Sequence, residues 1–252
     1  MGRLVAIERT MTDRPVVFVT GSTSGIGRAT ALLFAERGYA VAVNSSRSVS
    51  EGETLAASLP DAIYVPGAIG GDADTDAMVS QVLTQWGRLD VLVNNAGFTH
   101  VIPHQDLEAA TVDIFREIYD VNVFGTWKLS VSAMPALRAT AGNIVNVSSI
   151  AGLRPTGSSI PYASSKAALN HLTVLMAKVT GPEVRVNAVC PGLIDTTWTQ
   201  DWDVIRQFVS AVAPLRRSGQ PEDVAALIFA LATTPYITGQ CVATDGGLTL
   251  TQ

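Results

Sequence analysis

The stretch VVFVTGSTSGIGRATALLFAERG, residues 16–38, decides the fold of this 252-residue chain. Residues 16–20 are apolar or β-branched and predict a buried strand. Residues 25–37 predict a helix, because four apolar residues supply one buried face: Ala29, Leu32, Leu33 and Phe34. A glycine-rich turn therefore joins the strand to the helix, as it does where a pyrophosphate binds a helix N-terminus. The spacing differs from G-x-G-x-x-G, and tight turns of this kind also serve packing alone.

The same alternation of strand and helix continues to the end of the chain. Further strands are predicted at 39–44, 62–66, 89–94, 142–148, 184–190 and 238–244. Helices are predicted up to residue 59 and at 76–86, 112–138 and 161–178, with a last one opening at Pro221; Pro135 is expected to bend or end the long helix. Alternation of this kind predicts an α/β fold: a Rossmann-type, doubly wound parallel sheet of about seven strands with helices on both faces.

The chain contains no linker-like tract, so we predict one catalytic domain over residues 15–252. Residues 1–14 are interpreted as an N-terminal extension, because Met11 begins a second plausible opening. Hydrophobic residues make up 47% and charged residues 15% of the chain, which suits a large core and burial against other subunits.

The composition also excludes several classes of function. A net charge of −5 without a basic stripe argues against nucleic-acid binding, and no apolar run is long enough to span a bilayer. There is no zinc-ligand spacing, so no metal site is expected. Cys190 and Cys241 are interpreted as buried free thiols, and a cytoplasmic location is the default expectation.

Several motifs follow one another in a fixed order: TGSTSGIG at 20–27, NNAG at 94–97, Y-x-x-x-K at 162–166, PG at 191–192 and DGG at 245–247. In this order they resemble the motifs of the short-chain dehydrogenase/reductase family, in its short single-domain branch. The resemblance runs from about Val16 to the C-terminus. It implies a nicotinamide-dependent oxidoreductase that interconverts an alcohol and a ketone or aldehyde.

The resemblance also implies a catalytic set of Asn122, Ser149, Tyr162 and Lys166. Tyr162 would be the general acid/base. Tyr162 and Lys166 are four apart on a predicted helix, so their side chains lie on the same face. Lys166 and the positive nicotinamide ring of the cofactor are together expected to lower the pKa of Tyr162. Ser149 would hydrogen-bond the substrate oxygen, with Ser148 as the near alternative. Asn122 would organise a water that leads from Lys166 to solvent.

The family pattern assigns cofactor contacts along the predicted carboxyl edge of the sheet. The pyrophosphate would lie against the glycine turn, and the nicotinamide ribose against Lys166. The complete set of expected cofactor-binding residues is Gly21, Ser24, Gly25, Ile26, Gly27, Ser45, Ser46, Arg47, Asn95, Ala96, Gly97, Tyr162, Lys166, Pro191, Gly192, Ile194 and Thr196.

The residues after the second strand favour NADP(H), with NAD(H) possible. Ser45, Ser46 and Arg47 offer hydroxyls and a cation to a 2′-phosphate, and no carboxylate is present to repel it. Two departures from the family pattern weaken this interpretation of the adenosine end. Ser24 stands where many NADP-using relatives carry a basic residue, and Ala68 stands where the family usually has an adenine-contacting Asp.

An apolar substrate pocket is expected from segments 98–104, 150–161 and 193–214, with residues 193–218 as a substrate lid. Trp198 and Trp202 would line the pocket, or would instead pack the lid or another subunit. His100, His104 and Arg154 are interpreted as ordinary loop residues.

We therefore predict a carbonyl reductase or alcohol dehydrogenase that acts on a small molecule and forms a homotetramer. The 3-oxoacyl-carrier-protein reductases resemble it generally, although no basic patch for an acidic carrier protein is apparent. Sugar or steroid dehydrogenases remain a second enzymatic option. A catalytically silent NAD(P)-sensing protein is the alternative from another class, and nucleotide-sugar chemistry is disfavoured because the chain is short.

Overall fold

The computed structural model describes residues 13–251, and within that range seven parallel strands form one sheet. The strands are β1 (Val16–Val19), β2 (Ala40–Ser45), β3 (Ala62–Pro66), β4 (Val91–Asn94), β5 (Asn143–Val147), β6 (Arg185–Pro191) and β7 (Cys241–Thr244). Their order across the sheet is β3-β2-β1-β4-β5-β6-β7. The strand order reverses at β1 and β4, which lie side by side, and ligands of such folds bind at the carboxyl ends of the strands at this switch point. The predicted fold class is confirmed.

Helices cover both faces of this sheet. They are α1 (Gly25–Glu36), α2 (Val49–Ser58), α3 (Thr75–Trp86), α4 (Val112–Tyr119), α5 (Thr126–Ala139), α6 (Ile160–Thr180), α7 (Asp203–Val212) and α8 (Pro221–Thr233). One hydrophobic cluster joins the sheet to α3, α5 and α6, and a second joins the opposite face to α1, α2 and α8. Among the described helices, none is long and apolar enough to cross a membrane.

The strand sequences explain this two-sided burial. Successive side chains of a strand point to opposite faces, so Phe18 packs into one cluster while Val17 and Val19 pack into the other. All four residues of β1 are fully buried, as expected for a central strand covered on both sides.

The long helix predicted over residues 112–138 is interrupted. A π-helical turn, Asp120–Gly125, separates α4 from α5, whereas Pro135 lies inside α5, which continues to Ala139. A π-helical turn inserts an extra residue and re-aims the side chains around it, and such turns are frequent at functional sites. Sequence periodicity placed the irregularity at the proline and missed the turn that holds Asn122.

Residues 193–218, the segment expected to form the substrate lid, contain a short 3₁₀ turn, Thr197–Thr199, and α7. Its two ends meet, because Ile194 forms a parallel bridge with Gly219. Residues 1–12 of the predicted N-terminal extension lie outside the described range.

Candidate active site

The glycine-rich turn leaves the N-terminus of α1 open to an anion. Gly21 and Gly25 have φ angles of +59° and +51°, a region that disfavours residues with a side chain. The N-cap residue Ser24 makes no side-chain capping bond, and no acidic residue lies in the first turn. The free N–H groups and the positive end of the helix dipole are therefore available to a pyrophosphate.

Gly27 has a different role from the other two glycines. A Cβ there would lie 2.3 Å from the carbonyl oxygen of Gly21 and 2.5 Å from Nδ2 of Asn95. Gly27 is buried and does not line the cleft described below. It therefore permits close packing of the turn on the helix rather than ligand contact.

Side chains that sequence reasoning did not single out hold this turn in place. Thr20 accepts hydrogen bonds from the backbone N–H groups of Asn95 and Ala96, both at 2.9 Å. Asn44 accepts one from the N–H of Gly21 at 3.2 Å and donates from Nδ2 to the carbonyl oxygens of Val65 and Gly67. These bonds link the loops after β1, β2, β3 and β4 into one platform.

One cleft of about 1070 Å³ runs along the carboxyl edge of the sheet. It brings together every predicted cofactor residue except Gly27, and Ser149, Tyr162 and Lys166 of the predicted catalytic set. Asn122 does not line it. No group of three or more His, Cys, Asp or Glu side chains within residues 13–251 is arranged to hold a metal ion.

Ser149, Tyr162 and Lys166 meet near the middle of the cleft. Ser159 caps α6 by accepting a hydrogen bond from the N–H of Tyr162 at 3.3 Å, and this fixes the start of the helix that carries the tyrosine. The hydroxyl of Ser149 hydrogen-bonds the phenol of Tyr162. The ammonium of Lys166 lies 5.6 Å from the centre of the tyrosine ring and donates to the carbonyl oxygen of Val147 at 2.9 Å.

The neighbouring Ser148 has a separate environment. It is buried and donates to the main-chain carbonyl of Lys166 at 3.2 Å. Of the two serines, the structure therefore pairs Ser149 with the phenol and gives Ser148 a contact within the scaffold.

Burial determines the proton affinities of this cluster. Desolvation raises the pKa of Tyr162 to about 12, and the hydrogen bond from Ser149 only partly opposes it. Desolvation lowers the pKa of Lys166 to about 8. In the protein alone the pKa of Tyr162 is therefore raised and not lowered, because the loss of hydration outweighs the hydrogen bond from Ser149. At neutral pH the tyrosine keeps its proton.

Asn122 anchors the loop after β4. Its Oδ1 accepts from the N–H of Phe98 at 2.8 Å, and its Nδ2 donates to the carbonyl oxygen of Phe98 at 2.9 Å and to Ser165 at 3.0 Å. A Cβ on Gly97 would lie 3.5 Å from Asn122 Oδ1 and 3.6 Å from Lys166 Nζ, so the amide and the ammonium flank the same glycine. The amide thus ties the π-helical turn, the loop after β4 and α6 together.

A series of buried side-chain hydrogen bonds connects α6 to the sheet. Asn94 donates to Asn146 at 2.9 Å and to Ser130 at 3.0 Å, and Asn146 donates to Thr173 at 2.9 Å. All four side chains are buried, so breaking one of these hydrogen bonds would leave a polar group with neither a protein partner nor water. Asn146 and Thr173 carried no recognisable motif in the sequence.

The comparisons with known proteins agree with this geometry. The family model described as enoyl-(acyl carrier protein) reductase matches residues 21–249, which is most of the chain. The chain belongs to the short-chain dehydrogenase/reductase family.

Individual relatives cover nearly the whole chain. The granaticin polyketide synthase putative ketoacyl reductase 2 of Streptomyces violaceoruber is 53% identical over 93% of this chain and 96% of its own length. The 3-oxoacyl-[acyl-carrier-protein] reductase FabG of Thermotoga maritima is 36% identical over 93% and 98%. A putative short-chain dehydrogenase/reductase from Burkholderia xenovorans superimposes with a TM-score of 0.89 at 38% identity, covering 95% of this chain and all of that one.

This short-chain dehydrogenase/reductase is therefore an enzyme that uses a nicotinamide dinucleotide. The residues of its glycine turn, loops and helix N-terminus fit such a group. The matching relatives give no support to the catalytically silent alternative.

The end of the cleft beside β2, where the adenosine is expected, differs in detail from the expectation. Ser45 is buried, and its hydroxyl donates to the carbonyl oxygen of Ser48 at 3.0 Å and contacts the hydroxyl of Tyr64 at 2.8 Å. It is already engaged within the protein. Ser46 and Arg47 are exposed at the cleft edge and are the groups available to a phosphate there.

The substrate end of the cleft is apolar around a small polar centre. Trp198 packs edge-on against Tyr162, with ring centres 6.4 Å apart. The remaining apolar lining includes Ile150, Trp202, Ile205, Phe208 and Leu248.

The two loop histidines differ from one another. His100 forms an exposed pair with Glu117 at 2.8 Å. His104 lines the cleft, and its Nε2 is buried without a hydrogen-bond partner in the described part of the chain. The side chain of Arg154 is exposed and donates to the carbonyl of Leu153.

The two cysteines are free thiols that lie close together on β6 and β7. Cys190 is buried, whereas Cys241 is only partly buried, in contrast to the expectation for both. The pKa of Cys190 is raised, first by its hydrogen bond to Cys241 and then by burial.

Proposed function

We propose that this enzyme reduces a ketone of an apolar oxoacyl or polyketide-type substrate with NADPH. The observation that carries the proposal is the position of Tyr162, which lines the cleft beside Ser149; burial raises the pKa of its phenol to about 12. A group that holds its proton at neutral pH is suited to donate it to a developing alkoxide. The 53% identical relative is named as a ketoacyl reductase, which supports this direction.

Each side chain has a role that follows from its contacts. The bound dinucleotide supplies the hydride. Tyr162 donates the proton to the carbonyl oxygen, and Ser149 positions that oxygen and stabilises its charge. The ammonium of Lys166 stabilises the phenolate left behind, because opposite charges at this distance favour the ionised form. Asn122 is a positioning residue, since it acts through Phe98 and Ser165.

The preference for NADP(H) rests on Arg47 and Ser46. Both are exposed at the end of β2, and no acidic side chain among the described residues lines that part of the cleft edge. A 2′-phosphate would pair with the guanidinium, whereas the ribose hydroxyls of NAD(H) meet no carboxylate there.

We further propose that residues 193–218 form the substrate lid. Asp195 ties the two ends of the segment together: it accepts hydrogen bonds from Arg206 at 2.8 Å, Ser218 at 2.7 Å and Gln220 at 2.8 Å. Its neighbours Ile194 and Thr196 line the cleft. The lid is thus anchored next to residues expected to border the nicotinamide.

The outer faces of the long helices support a tetramer. Phe124, Trp127 and Val131 project from the π-helical turn and α5, and Val174, Leu175 and Val179 from α6; all six are exposed in the single chain. Exposed apolar faces of this kind mark protein contacts. Light scattering coupled to size exclusion is expected to give four times the chain mass, and a monomer would contradict this assignment.

The reaction is tested by following NADPH absorbance with a 3-oxoacyl N-acetylcysteamine thioester and a bicyclic ketone. We expect Tyr162→Phe to lower kcat by about 10²–10⁴-fold while the affinity for NADPH stays within about threefold, because the phenol oxygen acts on the proton rather than on binding. The matched control is Tyr236→Phe, since the side chain of Tyr236 is 100% exposed. An unchanged kcat in Tyr162→Phe would contradict the assignment. Tight NADPH binding without reduction of any carbonyl would contradict the proposed function as a whole.

A further inference from the structure

The adenosine half of the cleft contains one carboxylate to which no role has been given. Among the described residues that line the cleft, Asp120 is the sole Asp or Glu. It is the first residue of the π-helical turn, two positions before Asn122. No hydrogen bond or ion pair engages its carboxylate within residues 13–251, and the nearby Lys128 donates to the carbonyl oxygens of Gly71 and Ala73.

The sheet order places Asp120 at the correct end of the cleft for adenine. Arg47 follows β2 and Ala68 follows β3, and these strands lie at one side of the sheet, whereas Tyr162 lies beyond β5 at the other. If the pyrophosphate lies on the glycine turn, the adenosine extends toward β2 and β3. The inference rests on this proposed placement of the dinucleotide.

Close packing holds Asp120 against the loop after β3. A Cβ on Gly125 would lie 2.3 Å from the carbonyl oxygen of Ile69, so the π-helical turn and the loop touch without an intervening side chain. Oδ2 of Asp120 would lie 2.8 Å from a Cβ on Gly70 and 3.7 Å from one on Gly71. Because both are glycines, no side chain separates this carboxylate from the loop that carries Ala68.

Adenine offers a hydrogen-bond donor to an acceptor at this place. The exocyclic N6 amino group is a hydrogen-bond donor, and a carboxylate accepts such a bond more strongly than a neutral group. Ala68, which stands where the family usually carries an Asp, has no side-chain acceptor. We propose that Asp120 recognises the adenine by accepting a hydrogen bond from its N6 amino group, in place of a carboxylate after β3.

Comparing NADPH with its hypoxanthine analogue tests the contact between Asp120 and the N6 amino group by itself. In the hypoxanthine analogue of NADPH an oxygen replaces the N6 amino group, so an acceptor faces Asp120 instead of a donor. Isothermal titration calorimetry measures both affinities without any substrate. We expect the wild-type protein to bind the analogue at least about tenfold more weakly than NADPH, since one hydrogen bond to a charged group is lost and two acceptors are opposed.

Two variants test whether the difference in affinity between the two dinucleotides depends on Asp120. In Asp120→Asn the amide can turn its NH₂ toward the hypoxanthine oxygen or its oxygen toward the adenine amine, so the discrimination is expected to fall to within about threefold. Asp72→Asn removes the same charge from the same loop region but outside the cleft, and is expected to keep the wild-type ratio.

The outcomes are distinguishable. Equal wild-type affinity for the two dinucleotides, or full discrimination retained in Asp120→Asn, would overturn the role of Asp120 and leave the proposed reaction standing. Failure of the wild-type protein to bind either dinucleotide would overturn both proposals. Should Asp120→Asn not fold, equal wild-type affinity for the two dinucleotides still overturns the inference.

Discussion

Replacing Lys166 with methionine is expected to stabilise the folded chain at neutral pH. The side chain is 4% exposed, and within residues 13–251 its ammonium donates one hydrogen bond, to the carbonyl oxygen of Val147. Burial lowers the pKa of Lys166 from 10.5 to about 8. This difference of about 2.5 in the pKa of Lys166 corresponds to about 3 kcal/mol of unfavourable folding free energy when the ammonium is charged in both the folded and the unfolded chain. Loss of the hydrogen bond to Val147 destabilises the variant by about 1 kcal/mol, so the net increase in its stability is about 2 kcal/mol.

The pH dependence has a definite sign. Below pH 8 the lysine is charged in the folded and the unfolded chain, and the wild-type protein carries the full cost. Between about pH 8 and 10.5 the unfolded chain binds more protons than the folded one, so the wild-type stability rises with pH. The advantage of Lys166→Met should therefore shrink by about 2 kcal/mol between pH 7 and pH 10.

Urea denaturation of both proteins at pH 7, 8, 9 and 10 measures this difference. Ionisation of the Tyr162 phenol in the unfolded chain affects both proteins near the top of this range and cancels in the comparison, because the folded phenol keeps its proton at pH 10 in both. A variant that is less stable than wild type at every pH, by a constant amount, would refute the assignment of a desolvated ammonium. The variant is also expected to lose carbonyl reduction, so the residue would lower stability while supporting activity.

Three other changes probe the remaining parts of the site. Gly27→Ala should destabilise the fold by about 1–3 kcal/mol and weaken dinucleotide binding, because its Cβ would meet a backbone oxygen at 2.3 Å; Gly181→Ala, with nothing nearer than 3.7 Å, is the control in thermal melts. Arg47→Ala should raise the KM for NADPH at least tenfold and leave that for NADH within twofold; equal effects on both would contradict a phosphate contact. Asp195→Asn should increase proteolytic cleavage within residues 196–218. Partial burial raises the pKa of Asp195, but hydrogen bonds from Arg206, Ser218 and Gln220 together outweigh it and lower the pKa, so the wild-type lid should loosen only as pH falls below about 4. Cleavage unchanged in the variant would show that Asp195 does not hold the lid.

Local pattern was enough to predict the seven strands and most of the helices, but not the division of the long helix into α4 and α5. Buried strands in a doubly covered parallel sheet are rich in Val, Ile and Ala, and that composition differs from helical periodicity. The family motifs added the grouping of Ser149, Tyr162 and Lys166, which the structure brings together at the strand ends.

Features that depend on two distant segments were not predictable. The π-helical turn at residues 120–125 accommodates the loop after β3 and Asn122, and no local signal marks it. Asn44 and Asn146 are polar residues in strands whose sequences predict only that they are buried. Their roles become clear only when their partners in other loops and helices are known. The engagement of the Ser45 hydroxyl by Tyr64 is of the same kind.

The sequence by itself determined the alternating α/β architecture, the glycine turn and the identity of the residues at the strand ends, because these follow from side-chain chemistry and short-range spacing. Only the tertiary structure decided how those residues are charged and where they point. Desolvation depends on everything packed around a group, so the protonated phenol of Tyr162 and the weakened basicity of Lys166 are properties of the assembled cleft. The position of Asp120 against Gly70 likewise exists only because the π-helical turn packs on the loop after β3, about fifty residues earlier in the chain.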